Sequence, residues 1–448
     1  VRRVFDPSPS DIDIETDEVA ANVTLRLAAR GDVSELERRL QAELERGAPT
    51  PADGFGPNGV TPLMMAARNH QPDVVRWLLA LTGRGRDALF TYVDVRSLRG
   101  CTALSMAAEE GDAECVGLLL RARASVDMAD DVGATPLLRA CFNGHEEAVD
   151  VLVKARANLE AREGKGWTPL IRAAQTGNTS TARTLLRAGA AVDAAKYDGT
   201  TPLMMASNNG HLGAAELLLE HNANADATDS EDTTALMIAA QSGHEPVAAA
   251  LIGVGVGLNH VDGDGFSALM LSCQNDHADL VALLATHGAD IDASADDGTT
   301  ALMYACRFGH LAAARAMLAA GAALDGVDQD GNTALLIAVA EAHGELAISL
   351  IDAGADGSVT NNAEESVREL AEERGLDDVL AALDAQHVKV CEEAGALADA
   401  ITNSPYAKSL SEQLAAGLRL DGTGYEGEVE AAAAAPLEAA VPLEAAEE

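Results

Sequence analysis

Six histidines stand at matching places in the chain. His145, His211, His244, His277, His310 and His343 are separated by one constant interval or by twice that interval. A metal array would need their ring nitrogens within about 2 Å of a shared ion. One histidine per unit of a helix stack, with neighbours roughly 8–10 Å apart, cannot converge in that way, so they are read as structural. Asp262-Gly263-Asp264-Gly265 looks like a calcium loop, but it has no third ligand before the glycine and no Glu at the loop's last ligand position. A turn accounts for it. Gly253, Gly255 and Gly257 imitate a phosphate-binding loop, yet they stand where a helix is ending and not after a strand. Cys141, Cys273 and Cys306 share one small-residue position and are read as core substitutes for alanine. No Ser-His-Asp or Cys-His pairing stands out, so catalysis has no residues to rest on. No cofactor and no metal are expected.

The elements that position these residues come from composition and repetition. Hydrophobic residues make up 48% of the 448-residue chain but aromatics only 3%. Cores of alanine and leucine need closely packed helices, because small side chains fill little space. The net charge of -40 argues against a nucleic-acid partner, whose phosphates need Lys and Arg. It also argues against an anionic membrane surface, and no apolar run is long enough to span a bilayer. A basic protein is the natural complement of such a surface. Six cysteines at irregular spacing, with no CxxC pair, suit a reduced compartment, so a cytoplasmic or nuclear location is expected. The chain begins at Val1 without Met or an apolar leader, as a fragment or a processed form would.

Aligning on Thr-(Pro or Ala)-Leu gives anchors at Thr61, Thr102, Thr135, Thr168, Thr201, Thr234, Ser267, Thr300 and Thr333, and Ser366 continues the series. From Thr102 to Ser366 every step has the same length, without an insertion or deletion. The step from Thr61 to Thr102 is longer, with an insertion around Leu81–Leu98 whose Gly83-Arg84-Gly85-Arg86 reads as a basic loop. Each unit has one grammar. The anchor hydroxyl can cap a helix start, and Pro tolerates its first position. Small residues such as Ala173-Ala174 let two helices approach, and Gly-His marks the turn between them. A paired aliphatic stripe such as Leu185-Leu186 follows, then a terminating glycine such as Gly189 and an acidic turn to the next anchor.

This pattern resembles the ankyrin repeat, a 33-residue unit with a Thr-Pro-Leu-His signature. The resemblance covers residues 22–385 and implies an all-α solenoid of helix-turn-helix units with short β-turn fingers. The signature histidine is replaced throughout, by Met64, Ser105, Leu138, Ile171, Met204, Met237, Met270, Met303 or Leu336. The polar ties that this histidine makes in the family are therefore expected to give way to apolar packing. The organisation read from the chain is an acidic arm over 1–21, then the repeat domain over 22–385. That domain has an N-terminal cap, about nine repeats and a C-terminal capping half-repeat. A short helical extension is expected over 386–420, best between Leu410 and Leu420, and an unstructured Ala/Glu/Pro tail over 421–448.

The resemblance also implies where a partner sits: on the concave face, against finger tips and the exposed ends of first helices. By position these include Trp167 and Phe266 just before their anchors, Tyr197 near its own, and Phe142, Arg307 and Phe308 seven or eight residues after an anchor. Aromatics and Arg dominate interface energetics. Charge marks the same region. Between Lys196 and Arg307 there is no Lys or Arg, while residues 201–300 carry fifteen Asp or Glu. Asp198, Glu231, Asp264, Asp297 and Asp330 recur once per repeat on five successive fingers. Asp before Gly is ordinary turn chemistry, but that does not explain missing cations. The expectation is a monomeric, non-catalytic scaffold or adaptor for a basic or mixed-charge protein segment. The alternative is the targeting region of a larger enzyme, a kinase or ubiquitin-ligase component, whose catalytic part lies outside this chain.

Overall fold

A computed structural model describes residues 23–45, 57–82 and 93–403. The arm, the basic insertion loop, the Leu410–Leu420 stretch and the Ala/Glu/Pro tail lie outside the described residues. Within them are 22 α-helices in eleven consecutive pairs, from Val23–Arg30 with Val33–Glu45 to Val367–Arg374 with Asp377–Asn403. Chain contacts divide the protein into two units, Val1–Leu380 and Ala381–Glu448. The second is represented by the rest of the helix that starts at Asp377, so residues 386–403 continue one helix.

Each first helix begins as the anchor hydroxyl requires. The Thr or Ser oxygen accepts the backbone N–H three residues on, at 3.1–3.4 Å in all ten units from Thr61 to Ser366. Each such cap stabilises its helix by about 1 kcal/mol. The expected purely apolar replacement of the signature histidine needs correcting. The sulfurs of Met64, Met204, Met270 and Met303 lie 3.3–3.5 Å from the anchor's own backbone N–H and accept from it. Thioether sulfur is a weak acceptor, but it satisfies a donor that the helix leaves over.

First helices stack on first helices, and second on second. The anchor leucines and the small residues that follow them are buried along the whole series, Cys141, Cys273 and Cys306 among them. Burial pushes all three thiols up from their ordinary pKa. Five of the six recurrent histidines tie the turns. Nε2 of His145, His211, His244, His277 and His310 lies 2.9–3.2 Å from a backbone carbonyl of the preceding unit, at Glu109, Gln175, Asn208, Gln241 and Gln274. The ring also explains the glycine in the turn of the preceding unit. Gly243 has φ +78°, and a Cβ there would sit 2.6 Å from the His277 ring.

A second tie runs along the opposite edge. Backbone N–H groups of Ser125, Asn158, Ala191, Asn224, Gly257, Asp290, Ala323 and Asp356 each bond a side-chain oxygen one register back, at Asp94, Asp127, Glu160, Asp193, Asp226, Asn259, Asp292 and Asp325. Seven of the 71 acidic side chains of the chain are thus engaged between units, accepting from backbone N–H groups.

Candidate functional site

The fingers are tight hairpins. The residue five before an anchor donates its N–H to the carbonyl of the residue just before it: Glu163 to Trp167, Lys196 to Thr200, Asp262 to Phe266 and Asp328 to Asn332, at 3.0–3.1 Å. Residues paired across an antiparallel bridge point to the same face. Here that face is inward, and Glu163, Trp167, Lys196 and Thr200 are all buried. Successive fingers are joined by their backbones. Gly164 bonds the Val132 carbonyl, Tyr197 that of Lys165, Ser230 that of Asp198, Gly263 that of Glu231, Gln329 that of Asp297 and Asn362 that of Asp330, at 2.8–3.1 Å.

Trp167 is therefore not an exposed anchor. It is 3% exposed, with the Arg172 guanidinium 4.0 Å and the Lys196 ammonium 4.8 Å from its ring centre. Its place opposite Glu163 in the hairpin turns it under the finger. Phe266 occupies the same place and is half-buried, its ring 5.0 Å from Tyr304. Tyr197, which stands at the tip, is 72% exposed, and the Arg162 guanidinium lies 5.8 Å from its ring. Phe142 is half-buried against Arg172 at 5.3 Å, and Arg307 lies 4.0 Å from Asp328. Phe308 is exposed and stacks on His310.

Asp198, Glu231, Asp264, Asp297 and Asp330 are all exposed on successive fingers. Two are held by their own turns. Asp198 Oδ1 accepts from the Thr200 N–H and hydroxyl at 3.0 and 2.6 Å, and Oδ2 from Lys196 at 2.9 Å. Partial burial pushes this carboxyl up, but those hydrogen bonds outweigh it and lower its pKa. Asp297, with burial again opposing, is lowered by hydrogen bonds from Thr299 and by the charge of Arg307. Both side chains therefore keep their charge further into acid than an ordinary aspartate. The row also changes sign: the equivalent positions earlier in the chain are Arg99, Val132 and Lys165.

Sequence reasoning missed a buried charged cluster at the start of this face. Arg139 bonds Asp130 and reaches Glu109 at 3.1 Å, and Arg172 bonds Glu163 at 2.6 Å. All but Glu109 are buried. Burial raises the pKa of Glu163, and the Arg172 charge and hydrogen bond oppose that rise. The signal was legible: an acid and an arginine at the same separation, Asp130 with Arg139 and Glu163 with Arg172, in two successive units. From the next unit on, the arginine position holds Met205, Ile238, Leu271, Tyr304 and Ile337, all buried.

Among the described residues no three His, Cys, Asp or Glu side chains cluster as a metal site, and no helix is long and apolar enough to cross a membrane. A family model described as ankyrin repeats (3 copies) matches residues 63–163, 155–229, 221–295 and 290–361, about two thirds of the chain without a gap. A search of the curated proteins found no match.

Proposed function

From the premise that the chain belongs to the ankyrin-repeat family, whose repeats are generally protein–protein interaction modules, we propose that it is a non-catalytic scaffold for a protein with basic segments. The observation that carries this is the row of exposed finger-tip acids, Asp198, Glu231, Asp264, Asp297 and Asp330, beside a stretch without Lys or Arg. Charge laid out in this way steers a cationic partner and makes its association sensitive to salt. Tyr197, beside Asp198, and Phe308, at the end of the helix Ala301–Phe308, supply exposed aromatic surface. A basic partner in the cytoplasm or nucleus fits the reading.

The test replaces Glu231 and Asp264, Asp297 and Asp330 by Gln and Asn, which removes four charges and leaves the turns intact. Proteins captured by the native chain and lost by the variant should be rich in Lys/Arg segments. Their association should be slower and less salt-dependent with the variant, with a combined loss of about tenfold to a hundredfold in affinity, since exposed charges contribute little singly. An identical set of captured proteins with unchanged salt dependence would sink the reading.

A further inference from the structure

Beside the finger row lies a second row that the turns do not explain. Seven residues after the anchors, four successive units carry Gln175, Asn208, Gln241 and Gln274, all half-buried. The same position holds Phe142 before them and Arg307 after them. The row stands in the last turn of the first helices, whose carbonyls take the histidine ties. Phe142 meets the guanidinium of Arg172, and Arg307 lies 4.0 Å from Asp328 at the base of the following finger, so a side chain at this position can reach toward a finger base. The amides have little to do within the fold. Gln241 and Gln274 make no side-chain hydrogen bond among the described residues, and Asn208 only a 3.4 Å contact with Asn209. Gln175 accepts from Arg172 with its amide oxygen, and its NH2 makes no hydrogen bond among the described residues. The neighbouring row is different. Asn209 and Asn275 close their own helix ends by bonding Met205 and Leu271 carbonyls, and Thr176 bonds that of Arg172.

A carboxamide carries both a donor and an acceptor, and so does each peptide unit of an unfolded chain. A neutral amide row next to an acidic row therefore separates two tasks, holding backbone and selecting charge. Spacing decides the conformation held. Stacked helices repeat at about 10 Å. A polyproline II chain advances about 9 Å in three residues, brings every third side chain to one face, and has no internal backbone hydrogen bonds. A flat β-strand brings every second side chain to one face, about 7 Å apart, and falls out of step with the fingers.

We propose that this face binds an extended basic segment in polyproline II geometry, with Lys or Arg at every third residue, one per acidic finger, and its backbone on the amide row. This rests on the acidic-finger reading above. It commits to an unfolded segment rather than to the surface of a folded domain.

The probes are a peptide of four Lys-Pro-Ser triplets and a peptide of the same composition with its lysines contiguous. The native chain should bind the triplet peptide about tenfold or more tightly than the control. In a variant with Gln175→Met, Asn208→Leu, Gln241→Met and Gln274→Met that preference should vanish. Binding of the triplet peptide should fall about tenfold to a hundredfold, with the salt dependence kept because the fingers are untouched. Far-UV circular dichroism checks the fold. If the four-fold variant unfolds, Gln241→Met with Gln274→Met removes only the two unpartnered amides and should still halve the preference or more. Equal binding of both peptides by the native chain, with steep salt dependence, overturns the extended-segment proposal and leaves the acidic-finger reading standing. An undiminished preference in the amide variant does the same. If neither peptide binds, both fall.

Discussion

Arg172 offers the most direct test of the physical reasoning. Its side chain is 6% exposed, bonds a Glu163 that is 5% exposed, and covers the Trp167 ring. Removing one member of a buried pair strands the other charge, at a cost of about 3–5 kcal/mol. Removing both, as Glu163→Gln with Arg172→Met, leaves a neutral amide and a thioether that still packs against Phe142 and Trp167, so the loss should be only about 1–2 kcal/mol. The coupling between the sites should therefore be about 4 kcal/mol or more. Trp167 is itself the reporter, since a Trp77→Phe background makes it the sole tryptophan. Its emission during urea unfolding reads this part of the array, where unfolding need not be two-state overall. The pH dependence is specified too. Burial raises Glu163 in the folded chain and Arg172 holds it down, so Arg172→Met lifts that pKa further above its unfolded value. A carboxyl raised by folding takes up a proton more readily when folded, and the stability it contributes is lost as pH rises through the raised range. Arg172→Met should thus be most damaging at mildly alkaline pH and recover as pH falls, whereas the double variant should show no such recovery. A coupling below about 1 kcal/mol, or a loss that does not change with pH, would refute the account.

Two further outcomes are expected. Gly243→Ala should cost clearly more than Gly288→Ala in thermal or urea unfolding. Both have positive φ, +78° and +90°, but only Gly243 faces a neighbouring ring, and the difference should disappear in a His277→Ala background. Cys141, Cys273 and Cys306 should resist a thiol reagent in the native chain and react on unfolding, because burial raises their pKa and blocks access; fast native labelling would contradict the packing described.

The helix pairs were legible because each depends on local grammar repeated without an indel. A hydroxyl cap, small residues and a glycine stop work within a few residues of one another, and an unbroken period says that the surroundings recur. Trp167 was misread for the opposite reason. Its direction depends on a cross-bridge partner, Glu163, which turns a residue near a finger tip toward the helices. Tyr197, three places nearer the chain start in its own finger, has no such partner and stays exposed. The methionine sulfurs were read as apolar filler because nothing in the sequence shows that a thioether can come within 3.5 Å of the anchor N–H. The amide row went unnoticed since Gln and Asn on a helix surface are commonplace. It acquires meaning only beside the finger row, a relation that crosses units.

The rungs at Asp193, Asp226, Asn259, Asp292 and Asp325 have a consequence for how such a chain can change over generations. Donor and acceptor occupy the same two places in every unit, so the trailing edge of one unit matches the leading edge of any other. A gain or loss of one whole unit between Thr201 and Thr333 would keep these rungs, at the cost only of unit-specific pairs such as Phe266 with Tyr304 and Arg307 with Asp328. Upstream the order is fixed. Arg139 needs Glu109 from the unit before, Arg172 needs Phe142, and Lys196 needs Trp167. Duplication would thus break fewer charged contacts in the later stretch than in the earlier one, where buried charges are matched between successive units.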